Sequence, residues 1–457
     1  MVKKIRREVS YATDTVVDMR KDLNILRDRR FGLLFAARTA SVLGSAFGPV
    51  ALAFGVLALP GATASTLSLV TAAEGTTLVA FMLVGGVVAD RLPRFLVMVS
   101  ADVGAAVAWG ALAAMLITGW APLGLLITAS ALAGVATAMF YPAMTGVVPE
   151  VVPADRLQSA NGLLRLGQNF ARIGGFAVAG AAVAAFGAGW AMAVNAGLLL
   201  TSAVFLAGLR LPRREAGTAT GTSMVRDLRE GWQEFRSRQW LWVVVLQYSF
   251  VIMVLHAVFA VLGPVVANEH LGGAKGWSWV LAAESVGMVV GVVFAIRSKP
   301  GRPIRRVVLL TFVLSVLPLV LGLGAPLVVA VVAAFVGGVA LDILVVLWDT
   351  TMQREIPAEA LSRVSSYDAL GTLLLGPVGL LLAGPSVGLI GSRAALLISA
   401  AVTVVASIGA LCSPGVRNLR WTPAPAARRD LAQLDINQPS QHALSPTTTV
   451  APAFADA

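Results

Sequence analysis

Residues 152–180 read VPADRLQSANGLLRLGQNFARIGGFAVAG, and residues 356–384 read IPAEALSRVSSYDALGTLLLGPVGLLLAG. The two stretches align without a gap at an offset of 204, with eight of 29 positions identical. Each passes from a polar loop into a glycine-rich apolar run, the pattern of a chain entering a membrane helix. A second echo accompanies them. Gly48-Pro49-Val50 is matched by Gly263-Pro264-Val265, and Ala72-Ala73-Glu74 by Ala282-Ala283-Glu284. Two echoes in the same order indicate a duplicated chain. Halves related by an axis along the membrane normal form an architecture in which two similar bundles rock about one central site.

Composition agrees with a membrane setting. The 457 residues are 57% hydrophobic and 13% charged, with a mean hydropathy of +0.81. Soluble domains average about 45–50% apolar and about 25% charged. Apolar runs read against breakers predict twelve helices at 31–58, 65–89, 95–118, 121–148, 159–186, 190–209, 240–267, 276–296, 306–322, 326–349, 364–384 and 392–413. The ninth is short and interrupted by Pro318. Continuous apolar runs of this length exclude a β-barrel, whose strands alternate over about ten residues. The expected fold is therefore all-α and integral to the membrane, with twelve transmembrane helices in two pseudo-symmetric six-helix bundles.

The basic residues supply an orientation. Thirty of the 35 fall on one side of these spans, Lys275 and Arg393 fall on the other, and Arg38, Arg165 and Arg172 lie inside helices. Such a bias predicts that both termini are cytoplasmic, in the cell membrane. The high pI of about 10.7 is thus a topological signal and does not indicate nucleic acid. Five segments follow: a cytoplasmic tail (1–30), a first bundle (31–209), a central polar loop (210–239), a second bundle (240–413) and a disordered tail (414–457). Residues 224–238 of the loop could lie as a helix on the membrane surface. Cys412 is the only cysteine, so no internal disulfide or CxxC site exists. No GxxxxGK[ST] loop is present, which argues against ATP as the energy source. No nucleophile–base set or metal-ligand cluster points to an enzyme or a metal, and no cofactor is implied.

Gly85-Gly86-Val87-Val88-Ala89-Asp90-Arg91-Leu92-Pro93-Arg94 follows the second predicted helix. It resembles the G-x-x-x-D-R-x-x-R signature of the major facilitator superfamily. The stretches PAMTGVVPEVVPADRLQSAN (142–161), LGPVVANEHLGG (262–273), LWDTTMQREIP (347–357) and LSRVSSYDALG (361–371) are similar to the bacterial branch that holds the enterobactin exporter and macrolide-efflux proteins. The resemblance covers roughly residues 22–420. It implies alternating access, and efflux of a small amphipathic compound (a drug, antibiotic or siderophore) driven by the proton gradient. The expected partners are a small-molecule substrate and membrane lipids, and the carrier is expected to be a monomer. An importer or lipid flippase of the same fold, and a non-transporting receptor or scaffold, are the alternatives. By resemblance Gly86, Asp90, Arg91 and Arg94 form a gating loop, and Gly376, Pro377 and Gly384 carry the antiporter-type G-P-x-x-x-G. The chain departs from the family pattern at Gly44-Ser45, where a G-D pair is frequent, in 295–306, which has no aspartate, and in 174–180, which lacks the proline.

Ionisable groups inside hydrocarbon cost roughly 2.5–3.5 kcal/mol each on insertion scales, so each calls for a reason. Glu74 and Glu284 fall at matching depths of the two halves, near the midplane, and could take up a proton or hold a cationic substrate. The alternative is a structural carboxylate tied to an arginine or serine. Arg38 and Arg172 are the natural counter-charges. Because helix 5 packs near helix 8 in the family fold, an Arg172–Glu284 pair could act as a gate. Asp342 lies on a helix that lines the cavity in that fold, and joins the proton or substrate set. Asp349 and Asp368 are expected near helix ends as solvated or capping groups, Asp102 with the loop cluster or snorkelling near the interface, and His256 as a packing residue. Trp232, Trp240, Trp242, Trp277, Trp279 and Trp421 are expected at the interfaces.

Overall fold

The computed structural model describes residues 24–153, 156–209, 232–298 and 300–420. Twelve helices in it are long and apolar enough to cross a membrane. They are α1 (Arg29–Leu57), α2 (Ala64–Arg91), α3 (Arg94–Thr118), α4 (Leu123–Val151), α5 (Leu157–Phe186) and α6 (Ala188–Ala207) in the first half. The second half has α7 (Gln239–His270), α8 (Gly273–Arg297), α9 (Pro303–Gly322), α10 (Leu327–Glu355), α11 (Ala358–Leu374 continued by Gly376–Ile390) and α12 (Ser392–Cys412). The segments 1–23, 210–231 and 421–457 hold most of the expected tails and central loop, with Trp421, and lie outside the described residues.

Local chemistry sets the ends and breaks. Asp28 caps α1 by accepting from the Arg30 and Phe31 amides at 2.8 and 3.2 Å. Thr63 and Thr66 form a capping box at the start of α2. The α5–α6 and α11–α12 hairpins each turn on one residue, Gly187 (φ 85°) and Gly391 (φ 83°), a conformation that favours glycine. Pro318 interrupts α9 three residues upstream, at Ser315, because its ring excludes the carbonyl of the preceding turn. Pro377 breaks α11 at Leu375 in the same way. Val258–Leu262 widens α7 into a π-turn.

Within the first half α2 packs on α4, α3 on α4 and α6, and α1 on α5 and α6; in the second, α8 packs on α10, α9 on α10 and α12, and α7 on α11 and α12. The halves meet where α5 packs on α8 and α2 on α11. Small residues permit the closest approaches. A Cβ on Gly134 of α4 would strike the Glu74 carbonyl, and one on Gly338 of α10 the Glu284 carbonyl. Between the halves, a Cβ on Gly180 of α5 would meet Ser278 and lie 2.6 Å from the Ala274 carbonyl of α8. A Cβ on Gly384 of α11 would lie 2.5 Å from Ser65 Cα and 2.6 Å from Ser68 Cβ of α2. Ser68 Oγ donates to the Leu380 carbonyl. Both crossings lie toward the basic-poor end and close the space between the halves there.

Several expectations change. Trp240 and Trp277 are not interfacial: they are 6% and 1% exposed, and Trp277 fills the recess left by Gly263. Trp232, Trp242 and Trp279 are exposed. Asp368 does not cap its helix, because α11 starts at Ala358; instead it accepts from Trp348 Nε1 at 3.2 Å. Arg94 joins α3 to α4 through Glu150 at 3.2 Å, with both side chains about a quarter exposed. The coupling between Arg94 and Glu150, read from Arg94→Ala, Glu150→Ala and the double variant, should be only about 0.2–1 kcal/mol. A coupling well above that range would mean that the pair holds the fold.

Candidate functional site

A cavity of about 270 Å³ lies within the first bundle, lined by α1, α3, α4, α5 and α6. Its charged lining residues are Arg38, Asp102 and Arg172. Arg38 starts nine residues into α1 and Asp102 eight residues into α3. At about 1.5 Å per residue both lie roughly 12–14 Å from the basic-rich end, so two spans that run in the same direction bring opposite charges to one depth. Arg38 is 7% exposed and Asp102 3%. Ser202 of α6 donates to Asp102 Oδ2 at 2.5 Å. The Arg38 guanidinium sits 5.0 Å over the Phe140 ring, and its Nε has no hydrogen-bond partner. Asp102 is the acidic group nearest in effect to it, but no ion pair joins Arg38 to Asp102. Ser41 and Ser45 add hydroxyls, and Trp109 and Phe176 add ring faces.

The second bundle places a neutral cluster on the corresponding helices. Gln247 of α7 donates through Nε2 to Thr311 Oγ1 of α9 at 3.0 Å and to Ser407 Oγ of α12 at 3.2 Å. The two hydroxyls are 2.7 Å apart. A second cavity of about 260 Å³ lies in this bundle, with Tyr248, Trp348 and Asp368 in its lining.

The carboxylates read from the sequence lie elsewhere. Glu74, half-buried in α2, makes no hydrogen bond or ion pair among the described residues. Glu284 faces a pocket of about 20 Å³ lined otherwise by apolar residues, including Val258 of the π-turn and Pro318. Arg172 is the cation that acts on Glu284, across the α5–α8 contact, without an ion pair. Asp342 of α10 is half-buried with an unpartnered Oδ2, and Arg165 of α5 is the cation acting on it. His256 Nδ1 lies 2.9 Å from the Ile252 carbonyl of its own helix, and its ring packs where a Gly376 Cβ would come within 3.4 Å. Gly376 and Pro377 restart α11. The side chains of Asp90 and Arg91, with Gly86, lie outside the described residues, so their gating role has no geometry here. Asp102 was not legible as a site residue. It sits with Arg38 and Ser202, away from the interface; its depth, equal to that of Arg38, was the available signal.

Two six-helix halves of apolar spans, closed by close crossings at one end and holding a charged cavity, define a multi-pass membrane carrier. The sequence matches the Major Facilitator Superfamily model over residues 31–367, and the chain belongs to that family. It is a transporter and not an enzyme. Solved structures of similar fold include the nucleoside transporter NupG (TM-score 0.67, 13% identity, covering 84% of this chain and 98% of that one). A POT family transporter in complex with a thioalcohol-conjugated peptide gives 0.68 at 10% identity, covering 84% and 96%. A bacterial homologue of the human lysosomal transporter Spinster, inward-facing and unoccupied, gives 0.58 at 15%, covering 88% and 99%. No curated protein matches by sequence.

Proposed function

We propose that the chain is a proton-coupled exporter of small amphipathic compounds in the cytoplasmic membrane, with both termini in the cytoplasm. One observation carries this reading: a titratable group, Asp102, lines a cavity of mixed polar and aromatic character together with a buried guanidinium, Arg38. A carboxyl there can exchange a proton while the cavity exchanges cargo, which is what coupling requires. The orientation rests on the distribution of basic residues. Export rests on the resemblance to efflux proteins. With that orientation, the crossings at Gly180 and Gly384 close the external face.

A second reading, uptake, is favoured by the two arginines of the cavity. An acid bound to them and a proton on Asp102 favour one another, and loads that help each other on travel together. Purified protein in proteoliposomes with an imposed gradient of two pH units separates the two. Exchange drives cargo toward the acidic side and cotransport toward the alkaline side. Accumulation can reach roughly a hundredfold for one proton per molecule. Gradient-independent distribution of a broad panel of amphipathic compounds would overturn both.

A further inference from the structure

We propose that the cavity of the first bundle binds a small organic acid. Its carboxylate is held by Arg38 and Arg172, and its one or two rings lie against Phe140, Phe176 and Trp109. This rests on the cavity being the transport site, but on neither the direction of transport nor its coupling.

Charge balance is the first argument. Two guanidiniums and one carboxylate line the cavity, and the carboxylate is engaged by Ser202. Arg38 is 7% exposed and, among the described residues, has no ion pair and leaves its Nε without a partner. A buried guanidinium in that state is costly unless an acceptor arrives. The planar fork of an arginine matches a carboxylate through two parallel hydrogen bonds, and two arginines from α1 and α5 can hold one acid from two sides.

The equivalent three-helix position of the second bundle is filled by Gln247, Thr311 and Ser407, a neutral cluster joined through Gln247 Nε2 and the two hydroxyls, with Gln247 Oε1 left without a partner among the described residues. The fold therefore does not need a charge at this place, and the charge in the first bundle serves something besides packing. The second cavity, of nearly equal volume, has a carboxylate and no cation in its lining. Recognition of an acid is thus confined to one half.

Size and lining complete the description of the ligand. A volume of about 270 Å³ lies at the lower edge of the range for small-molecule pockets, about 300–1,000 Å³. It suits a one- or two-ring acid and excludes a macrocycle held entirely within it. Ring faces from three helices supply stacking area, and Ser41 and Ser45 can donate to the carboxylate.

Full-length protein in detergent, without any gradient, tests this with 2-naphthoate, 2-naphthamide and 2-naphthylmethylammonium. Quenching of tryptophan fluorescence and titration calorimetry report the affinities. Naphthoate should bind roughly 10- to 100-fold more tightly than the isosteric amide, and the ammonium should not compete. Arg172→Gln changes an exposed side chain and should reduce the acid to the affinity of the amide while leaving the amide unchanged. Arg38→Gln should do the same, with thermal unfolding to check that it folds. Equal binding of acid and amide, binding of none of the three, competition by the ammonium, or an unchanged preference in Arg172→Gln would each overturn the proposal. If naphthoate binds as expected but no cargo moves under a gradient, the transport reading fails and the acid site stands.

Discussion

Asp102→Asn should abolish gradient-driven accumulation, a loss of up to roughly a hundredfold under two pH units, while leaving binding of 2-naphthoate intact. The substitution is close to isosteric. Its amide oxygen can still accept from Ser202, so the contact of α3 with α6 survives. What it loses is the capacity to take up and release a proton, which no neighbouring hydroxyl replaces. Loss of the negative charge also leaves Arg38 less compensated, so acid binding should hold or strengthen. Exchange of labelled for unlabelled cargo across vesicles without a gradient is the control, and it should persist because the shape of the cavity and the crossings at Gly180 and Gly384 are unchanged. Wild-type accumulation in Asp102→Asn would remove Asp102 from the coupling mechanism. The same experiment on Glu74→Gln and Glu284→Gln asks whether either membrane carboxylate of the repeat carries the proton instead. Loss in one of those, with Asp102→Asn active, would move the coupling site to α2 or α8.

The second large effect concerns the closed end. Gly180→Leu with Gly384→Leu should push the protein out of the conformation described here and toward one in which α5 leaves α8 and α2 leaves α11. At Gly180 the obstacle includes the Ala274 carbonyl, and at Gly384 the backbone of Ser65, so side-chain adjustment alone cannot relieve the overlap. Overpacking typically costs about 1–3 kcal/mol per site. A combined cost of about 3 kcal/mol is roughly a hundredfold in the population ratio. Cys412 is exposed and is the only cysteine, so it can be replaced by serine to give a clean background. Spin labels at Thr63→Cys and Leu389→Cys then report the separation of α2 from α11 at the closed end. The double variant should show a longer distance and little turnover. An unchanged distance distribution would mean that the two glycines do not set the conformational balance.

The fold was largely legible, and the site only in part, for a physical reason. Length and apolarity of a run act on each helix separately, so the twelve spans could be read one at a time. The repeats at 152–180 and 356–384 added the pairing of halves. What the sequence does not display is which faces meet. Arg38 and Asp102 belong to spans separated by α2, and only the packing of α1 and α3 against α6 brings both to one cavity with Ser202. Glu74 and Glu284 showed the reverse. Their matching positions in the repeat are real, but the repeated feature at that level is backbone contact, with Gly134 and Gly338 seated on their carbonyls. Trp277 misled because closeness to a helix end was read as closeness to water, whereas Gly263 opens a slot for it inside the bundle. Asp368 misled because α11 begins several residues before its apolar run does.

Gly134 and Gly338, Gly180 and Gly384, and Gly187 and Gly391 are three pairs at a single spacing of 204 residues. They mark a close helix crossing, a crossing between halves and a hairpin turn, each present twice. The polar clusters on α1, α3 and α6 and on α7, α9 and α12 share a serine, Ser202 and Ser407, and differ in charge. A doubled gene that keeps its scaffold in both copies is free to specialise one copy for chemistry and let the other serve as a plain bearing surface. The second bundle then keeps a neutral counterpart of the charged site: replacing Gln247 and Thr311 by Arg and Asp would set a charged pair at the equivalent place of the same skeleton.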